Sequence, residues 1–172
     1  MRPTNKIGYL LQHVSFVLAR QADQALQEQL GIGFSQYKIL MMLQHNPHVQ
    51  QKQIAESLGQ TEASISRQIK LLHEKAMLTT RINPANRRVH ITTPTPKGIK
   101  MTEAARAVFQ DVYGPMFAGI SDKQQQQLIE GLESMHDFAC QPGKTAACDH
   151  PFDALYIKKE PHNAHGTNKT QT

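Results

Sequence analysis

The chain has 172 residues; hydrophobic side chains make up 39% of it and aromatic ones 6%, with no tryptophan. One domain of this length with so few aromatic residues has a thin core, so we expect part of its surface to be buried against a second subunit. No apolar run approaches the roughly 18 residues that span a membrane, and the polar N-terminus is a poor signal peptide. Two late cysteines, Cys140 and Cys148, make no disulfide framework, so we expect a reducing cytoplasm.

The positive charge is concentrated in one segment. The chain carries a formal charge of +5, but eight cations and two acids leave residues 60–100 at +6 and the remainder at −1. Such a block indicates a polyanionic partner, although an ordinary solvated face has the same composition. The cations are Arg67, Lys70, Lys75, Arg81, Arg87, Arg88, Lys97 and Lys100, and the acids are Glu62 and Glu74.

A long amphipathic helix is predicted over residues 5–30, because apolar residues recur there at intervals of three and four. Gly31 and Gly33 are expected to end it. Ser35 is the predicted N-cap of a second helix, which should end before Pro47 because the residue preceding a proline avoids the helical region. The apolar positions of the first helix are Ile7, Leu10, Leu11, Val14, Val17, Leu18, Ala22, Leu26 and Leu30.

Two further helices and a hairpin follow. A short helix is predicted over Gln51–Leu58, broken by Gly59, and Thr61 is the predicted N-cap of a fourth helix that runs to about Ala76. Residues 78–93 are then rich in Thr, Ile and Val around an Asn-Pro-Ala-Asn turn, which predicts two short antiparallel strands.

The C-terminal part is predicted to hold two more helices. Thr95-Pro96 suits the N-cap and first position of the fifth helix, which should bend or end near Gly114-Pro115. Ser121 and Gln124 have the spacing of a capping box for the sixth helix. From residue 141 the periodicity fades, so 141–172 is predicted to be a flexible tail. The apolar stripe of the sixth helix is Leu128, Leu132, Met135 and Phe138.

The order of helix, short helix, glycine turn, longer helix and hairpin is typical of a winged helix-turn-helix. Ala55 is small where the two helices of the motif cross, and Gly59 supplies the positive φ of the turn. Ile65, Ile69 and Leu72 form the inward face of the second helix, so its opposite face is left free.

That free face is the predicted DNA-binding surface. It begins with short polar side chains and continues with longer cationic ones, a combination that reaches base edges and phosphates when a helix lies in the major groove. An ordinary exposed helix surface is the alternative interpretation. The residues predicted to bind DNA from this helix are Thr61, Glu62, Ser64, Arg67, Gln68 and Lys70.

Arg87 and Arg88 lie at or near the tip of the predicted hairpin. An arginine carried on a thin β-ribbon can enter a narrow minor groove, where the negative potential is strongest. Without the neighbouring recognition helix, two solvated arginines on a loop would be the simpler explanation.

The segment "IAESLGQTEASISRQIKLLHEKAMLTTRINPANRRVHITTPTPKG" resembles the helix-turn-helix and wing of the MarR (multiple antibiotic resistance regulator) family, and the likeness extends over about residues 5–139. The family usually has Asp-x-Arg in the wing, whereas this chain has Asn86-Arg87-Arg88, so the resemblance marks Arg88 as the wing arginine and removes the carboxylate that would brace it.

The resemblance implies a mainly α fold, with a winged helix-turn-helix, terminal dimerisation helices and a small two-stranded wing. The winged-helix domain would cover residues 1–140, with a DNA-binding lobe at 34–93 and dimerisation helices at 5–30 and 95–140. The apolar stripes of the first and sixth helices agree with a two-fold dimer that spaces two recognition helices about one DNA turn apart, roughly 34–36 Å.

The resemblance also implies a homodimer that binds double-stranded, pseudo-palindromic operators, usually as a repressor released by a small, often aromatic and anionic molecule. By position, Arg20, Tyr37 and Met41 would line the effector pocket, with Arg20 pairing a carboxylate and Tyr37 stacking on a ring. Alternatively, Tyr37 and Met41 belong to the core and Arg20 to the surface.

Two cysteines and two histidines near the C-terminus raise other options. His136, Cys140, Cys148 and His150 offer the soft ligands of zinc, but the seven-residue spacing between the cysteines is not a common zinc motif. The thiols could instead form a regulatory disulfide, although no neighbouring cation marks either as reactive. We therefore predict no metal and no cofactor, and keep a redox- or metal-responsive regulator as an alternative.

Two other classes of protein remain to be compared. An architectural DNA-binding protein would share the basic surface but would not discriminate between sequences, whereas a regulator typically prefers its site by a factor of 10³ or more. An enzyme is disfavoured because the chain has no P-loop, dinucleotide fingerprint, H-E-x-x-H or G-x-S-x-G motif.

Overall fold

The structure is a computed structural model that describes residues 3–83 and 86–139, without the side chains of residues 3, 83 and 86–90. The predicted tail at 141–172, and with it Cys140, Cys148 and His150, lies outside the described residues.

The described part of the chain is mainly helical, with one two-stranded antiparallel sheet, as the sequence predicts. None of its helices combines the length and the apolar character that crossing a membrane requires. The elements in chain order are α1 Pro3–Leu30, α2 Phe34–His45, α3 Gln51–Leu58, α4 Glu62–Glu74, β1 Leu78–Asn83, β2 Asn86–Pro94, α5 Pro96–Phe117 and α6 Asp122–Ala139.

The start of α2 differs from the prediction. Gly33 is the N-cap, and its N–H donates to Gln36 Oε1 at 3.3 Å. The next N–H, of Phe34, donates to Asp23 Oδ1 on α1 at 2.7 Å. Ser35 therefore lies inside the first turn, and its prediction as N-cap is wrong because a carboxylate from another helix takes over the capping role.

The turns around α3 and α4 confirm the local predictions. Gly59 is the C-cap of α3 with φ of 61°, in the left-handed region. Thr61 is the N-cap of α4 and accepts from the N–H of Ser64 at 3.2 Å. The end of α4 comes earlier than expected, at Glu74, because Ala76 takes a positive φ of 56° and reverses the chain toward β1.

The long helices of the C-terminal part also follow their predicted signals, with one correction. Thr95 caps α5 and Ser121 forms the capping box of α6 with Gln124, the Ser121 N–H donating to Gln124 Oε1 at 2.9 Å. The prediction that α5 bends or ends near Gly114-Pro115 placed its end too early: Pro115 is inside the helix, which continues to Phe117. Only two residues of the helix follow this proline.

The core is centred on α2. It joins the buried side of α2 to the C-terminal part of α1, the inner faces of α3 and α4, and the middle of α5. Its residues are Leu26, Ile32, Tyr37, Ile39, Leu40, Met41, Met42, Leu43, Ile54, Ala55, Ile65, Ile69, Leu72, Met77, Leu78, Ala105 and Val108.

The first half of α1 and the whole described length of α6 lie outside this core. None of the described residues of α6 is buried. Large apolar side chains are exposed on both helices, and such a surface on a single chain indicates contact with a partner. They are Ile7, Leu10, Leu11, Val14 and Phe16 on α1, and Leu128, Ile129, Leu132, Met135 and Phe138 on α6.

Candidate nucleic-acid interface

The buried side of α4 fixes the orientation of this helix. Ile65 and Leu72 are fully buried and Ile69 nearly so, and they lie in the same core cluster as Ile54 and Ala55 of α3. Ala55 is only 3% exposed, so it takes the small-residue role that its spacing predicts. Burial of one stripe at i, i+4 and i+7 leaves the opposite face of α4 outside the protein.

The exposed side of α4 carries the residues that the sequence predicts to bind DNA. Thr61, Glu62, Arg67 and Lys70 are exposed, while Ser64 and Gln68 are half-buried at the margin of the face. Lys70 lies 4.0 Å from Glu74, an exposed pair that leaves the lysine accessible. The arrangement matches a helix presented to the major groove, with Arg67 at its centre.

A chain of hydrogen bonds joins the end of α4 to the hairpin. His73 Nε2 lies 3.1 Å from Thr80 Oγ1 on β1, and that hydroxyl lies 2.9 Å from Thr92 Oγ1 on β2. Both strands of the wing are thereby connected to α4 by side-chain contacts that the sequence alone does not predict.

The wing has the predicted antiparallel form. Its register pairs Thr80 with Thr92 and Asn83 with Asn86 next to the turn. Arg87 and Arg88 follow directly in β2, but their side chains lie outside the described residues. Arg81 on β1 is exposed and adds a cation to the described part of the wing.

Two of the eight cations of the basic segment are used inside the lobe. Lys75 Nζ donates to the carbonyl of Gly31 at the end of α1, and Lys97 Nζ donates to the carbonyl of Lys75 at 2.8 Å. Lysines at helix C-termini satisfy free carbonyls in this way. Both ammonium groups keep their positive charge, but these contacts hold them at the helix ends.

The predicted effector residues lie in different environments. Tyr37 and Met41 are each 2% exposed and belong to the core cluster, whereas Arg20 is exposed on α1. The Tyr37 ring makes an edge contact with Phe109, with centroids 4.8 Å apart, and stacks on Phe34 at 6.2 Å. These rings form an aromatic cluster between α2 and α5.

Lys38 is a charged neighbour of this cluster that the sequence analysis did not select. Its Nζ lies 4.8 Å from the centre of the Phe34 ring. Burial lowers the pKa of Lys38 below its usual 10.5, because the charged ammonium is partly removed from water. The i, i+4 spacing of Phe34 and Lys38 on a predicted helix was the available signal.

A cavity of about 410 Å³ lies between the end of α1 and the start of α5. Its position differs from that of the predicted effector residues, and two lysines contribute to its otherwise apolar lining. The lining residues are Leu30, Pro96, Lys97, Lys100, Met101 and Ala104.

Metal ligands do not converge in the described part of the chain. Within residues 3–83 and 86–139, no group of three or more His, Cys, Asp or Glu side chains could hold an ion. His136 is described and lies 3.7 Å from the carboxylate of its neighbour Asp137. The other three members of the predicted Cys/His set lie outside the description.

A helix-turn-helix with an attached two-stranded wing defines the class of winged-helix proteins. Residues 30–89 match the model of the MarR family, so this part of the chain is similar to that family. A curated relative from Bacillus subtilis, the uncharacterized HTH-type transcriptional regulator YdgJ, is 24% identical over 132 residues, which are 77% of this chain and 78% of that protein.

Several solved structures have a similar fold. The Mycobacterium tuberculosis protein Rv2887 in complex with p-aminosalicylic acid is 22% identical and has a TM-score of 0.65, over 74% of this chain and 96% of that one. CouR from Rhodococcus jostii RHA1, bound to p-coumaroyl-CoA, is 22% identical with a TM-score of 0.64, over 83% and 96%. The S. aureus MepR–DNA complex is 24% identical with a TM-score of 0.59, over 74% and 94%.

Proposed function

We propose that the protein is a dimeric repressor of the MarR type, which binds a pseudo-palindromic operator and leaves it when a small molecule binds. The observation that carries the proposal is the division of α4 into a buried face and an exposed one. Ile65, Ile69 and Leu72 fix the helix in the lobe, while Arg67 and Lys70 are exposed on the outside. A helix held in this way is rigid enough to select among base pairs.

Different roles are proposed for the DNA-binding residues. Arg67 and Gln68 have the donors and acceptors for bidentate contacts with base edges, whereas Lys70 is a point charge suited to phosphate. Thr61 is occupied as the N-cap, so its hydroxyl oxygen faces the helix backbone. Glu62, in the first turn, can accept from a cytosine amino group.

The wing is proposed to supply contacts outside the major groove. Arg88, with Arg87 beside it, would enter the minor groove next to the sequence that α4 contacts. The hydrogen bonds from His73 through Thr80 to Thr92 support this role, because they join the ribbon to the recognition helix.

The dimer is proposed to form through α1 and α6. The exposed apolar side chains of both helices would be buried in a dimer interface. A two-fold axis lets each helix pair with its copy in a second chain. Pairing through these ends leaves both α4 helices exposed. Residues 5–30 and 95–140 would then be the dimerisation region and 34–93 the DNA-binding lobe.

The effector is proposed to be a small aromatic anion. Two proteins of similar fold, Rv2887 and CouR, have been solved with p-aminosalicylic acid and p-coumaroyl-CoA bound, respectively. In this chain the aromatic cluster around Tyr37 and the half-buried Lys38 offer ring contacts and a positive charge close together, with Met41 in the same core. Arg20 would complete the site from the exposed surface of α1.

Selection of genomic fragments by the purified protein, followed by sequencing, tests the proposal. We expect one enriched palindromic site, bound about 10³-fold more tightly than random DNA at the same salt concentration. Equal affinity for all duplexes would identify an architectural protein instead. A mobility-shift titration with phenolic acids, zinc and peroxide then separates release by an aromatic ligand from the metal- and redox-responsive alternatives.

A further inference from the structure

Three polar side chains meet between α2 and the first turn of α4. Gln60, in the turn before α4, donates from Nε2 to Ser35 Oγ at 3.0 Å. Its Oε1 accepts from Ser64 Oγ at 3.2 Å and lies 3.3 Å from Ser35 Oγ. Because all three residues are half-buried, we name the set the Ser-Gln-Ser bridge.

The bridge turns the hydroxyl of Ser64 toward the protein. Its proton is directed to Gln60 Oε1, and its backbone N–H is directed to Thr61 Oγ1 at 3.2 Å. Both hydrogen-bond donors of Ser64 are therefore used within the protein, and only its hydroxyl oxygen is left to accept a hydrogen bond from DNA. Gln60 is itself held by its backbone N–H, which donates to the carbonyl of Ala55 at 2.9 Å.

The bridge also bears on the angle of α4. Burial of Ile65 and Ile69 fixes the depth of the helix, but apolar contacts are not directional and allow small rotations. Hydrogen bonds near 3 Å are directional, and these ones attach the first turn of α4 to α2. The first turn is the part of a recognition helix that lies closest to the base edges.

We propose that Gln60 is a positioning residue that sets the sequence specificity of DNA binding without contacting DNA, and that Ser64 acts with it. The proposal rests on the proposed function. Bidentate contacts to bases tolerate little misplacement, whereas charge neutralisation at phosphates is much more tolerant. Loss of the bridge should therefore reduce discrimination between sequences far more than it reduces binding to DNA in general.

The test compares Gln60→Ala, Ser64→Ala and the double variant on the selected operator and on a random duplex at one salt concentration. We expect Gln60→Ala to lower the ratio of the two affinities by about 10- to 100-fold, with affinity for random DNA within about twofold of the wild type. The double variant should be no worse than Gln60→Ala, because both substitutions remove the same bridge.

Gln44→Ala is the matched control. Gln44 is a glutamine of α2 whose Oε1 accepts a hydrogen bond from Thr102 Oγ1 at 3.1 Å. This contact joins α2 to α5 and not to α4, so its loss should leave the position of α4 unchanged. The affinity ratio should stay at the wild-type value even if the melting temperature falls. Ser35→Ala removes the α2 side of the bridge. It serves as the test variant if Gln60→Ala does not fold.

Three outcomes are informative in different ways. A wild-type protein that does not discriminate between duplexes overturns the proposed function, and this inference with it. A discriminating wild type with an unchanged ratio in Gln60→Ala and Ser35→Ala overturns the inference alone. If Ser64→Ala lowers the affinity ratio only for operators with one particular base pair, and this loss adds to that of Gln60→Ala, Ser64 contacts that base pair directly.

Discussion

Gly98 packs directly against the backbone of Met77: a Cβ on Gly98 would lie 2.3 Å from the Met77 carbonyl oxygen. The contact joins the first turn of α5 to the segment between α4 and β1. The same junction is closed by the N–H of Thr95, which donates to the Met77 carbonyl at 3.0 Å. The wing, α4 and α5 therefore meet at one tightly packed junction.

Gly98→Ala should reduce the free energy of unfolding by about 1–3 kcal/mol, because the new methyl group overlaps a backbone atom that cannot move alone. Chemical denaturation measures the change. Glu103→Ala, an exposed substitution on the same helix, is the control and should stay within about 0.5 kcal/mol of the wild type. Equal stability of the two variants would contradict the packing described for this junction.

Arg67→Ala should cost about 1–3 kcal/mol of binding free energy on the preferred site, if Arg67 contacts a base. Fluorescence anisotropy on operator and random duplexes measures both affinities. Arg106→Ala, an exposed arginine on α5 outside the lobe, controls for the loss of one charge. A loss of the same size on random DNA would show that Arg67 contacts phosphate only.

Arg88→Ala should weaken binding to every duplex and reduce the slope of log affinity against log salt by about one phosphate equivalent. A salt titration of the wild type and the variant gives the slope. Because the wing would contact the backbone and the minor groove, the preferred sequence should change little. If neither affinity nor slope changes, Arg88 is a solvated residue of the loop.

Leu132→Lys should weaken dimerisation by about 100-fold or more, because a lysine in an apolar interface must lose its hydration. Sedimentation analysis over a range of concentrations measures the dimer constant. Glu133→Lys is the control: it adds a lysine to the exposed residue that follows, turned by about 100° around the helix. Similar dimer constants for both variants would remove α6 from the interface.

Lys38→Met should raise the free energy of unfolding relative to the wild type. The increase should be largest at neutral pH and should shrink as the pH rises toward 10.5. Burial lowers the pKa of Lys38 in the folded chain, so the unfolded chain binds more protons between that lowered value and 10.5. Wild-type stability therefore rises with pH in that interval. Denaturation at several pH values tests this; a gain that does not change with pH would contradict it.

The elements that the sequence predicts best are those fixed by neighbouring residues. Gly59 and Thr61 define the turn before α4 through their own backbone preferences, so both were predictable. Ser35 was misassigned because its partner, Gln60, lies 25 residues away. The carboxylate that caps the start of α2 comes from Asp23 on another helix, and no local pattern identifies such a partner.

The candidate site shows the same limit. The inward stripe of α4 follows from helical periodicity, which also separates Arg67 and Lys70 from the core. The periodicity does not tell which polar side chains turn back into the protein. Lys75 and Lys97 do so through hydrogen bonds to carbonyls far away in sequence, and Ser64 does so through a hydrogen bond to Gln60 in the turn before α4.

The exposed apolar faces of α1 and α6 also have a consequence for expression level. A monomer would present one recognition helix, so two chains must associate before both half-sites of an operator can be bound. When the protein is scarce, the number of pairs falls with the square of the number of chains. Repression by such a protein would therefore set in above a threshold of synthesis rather than in simple proportion to it.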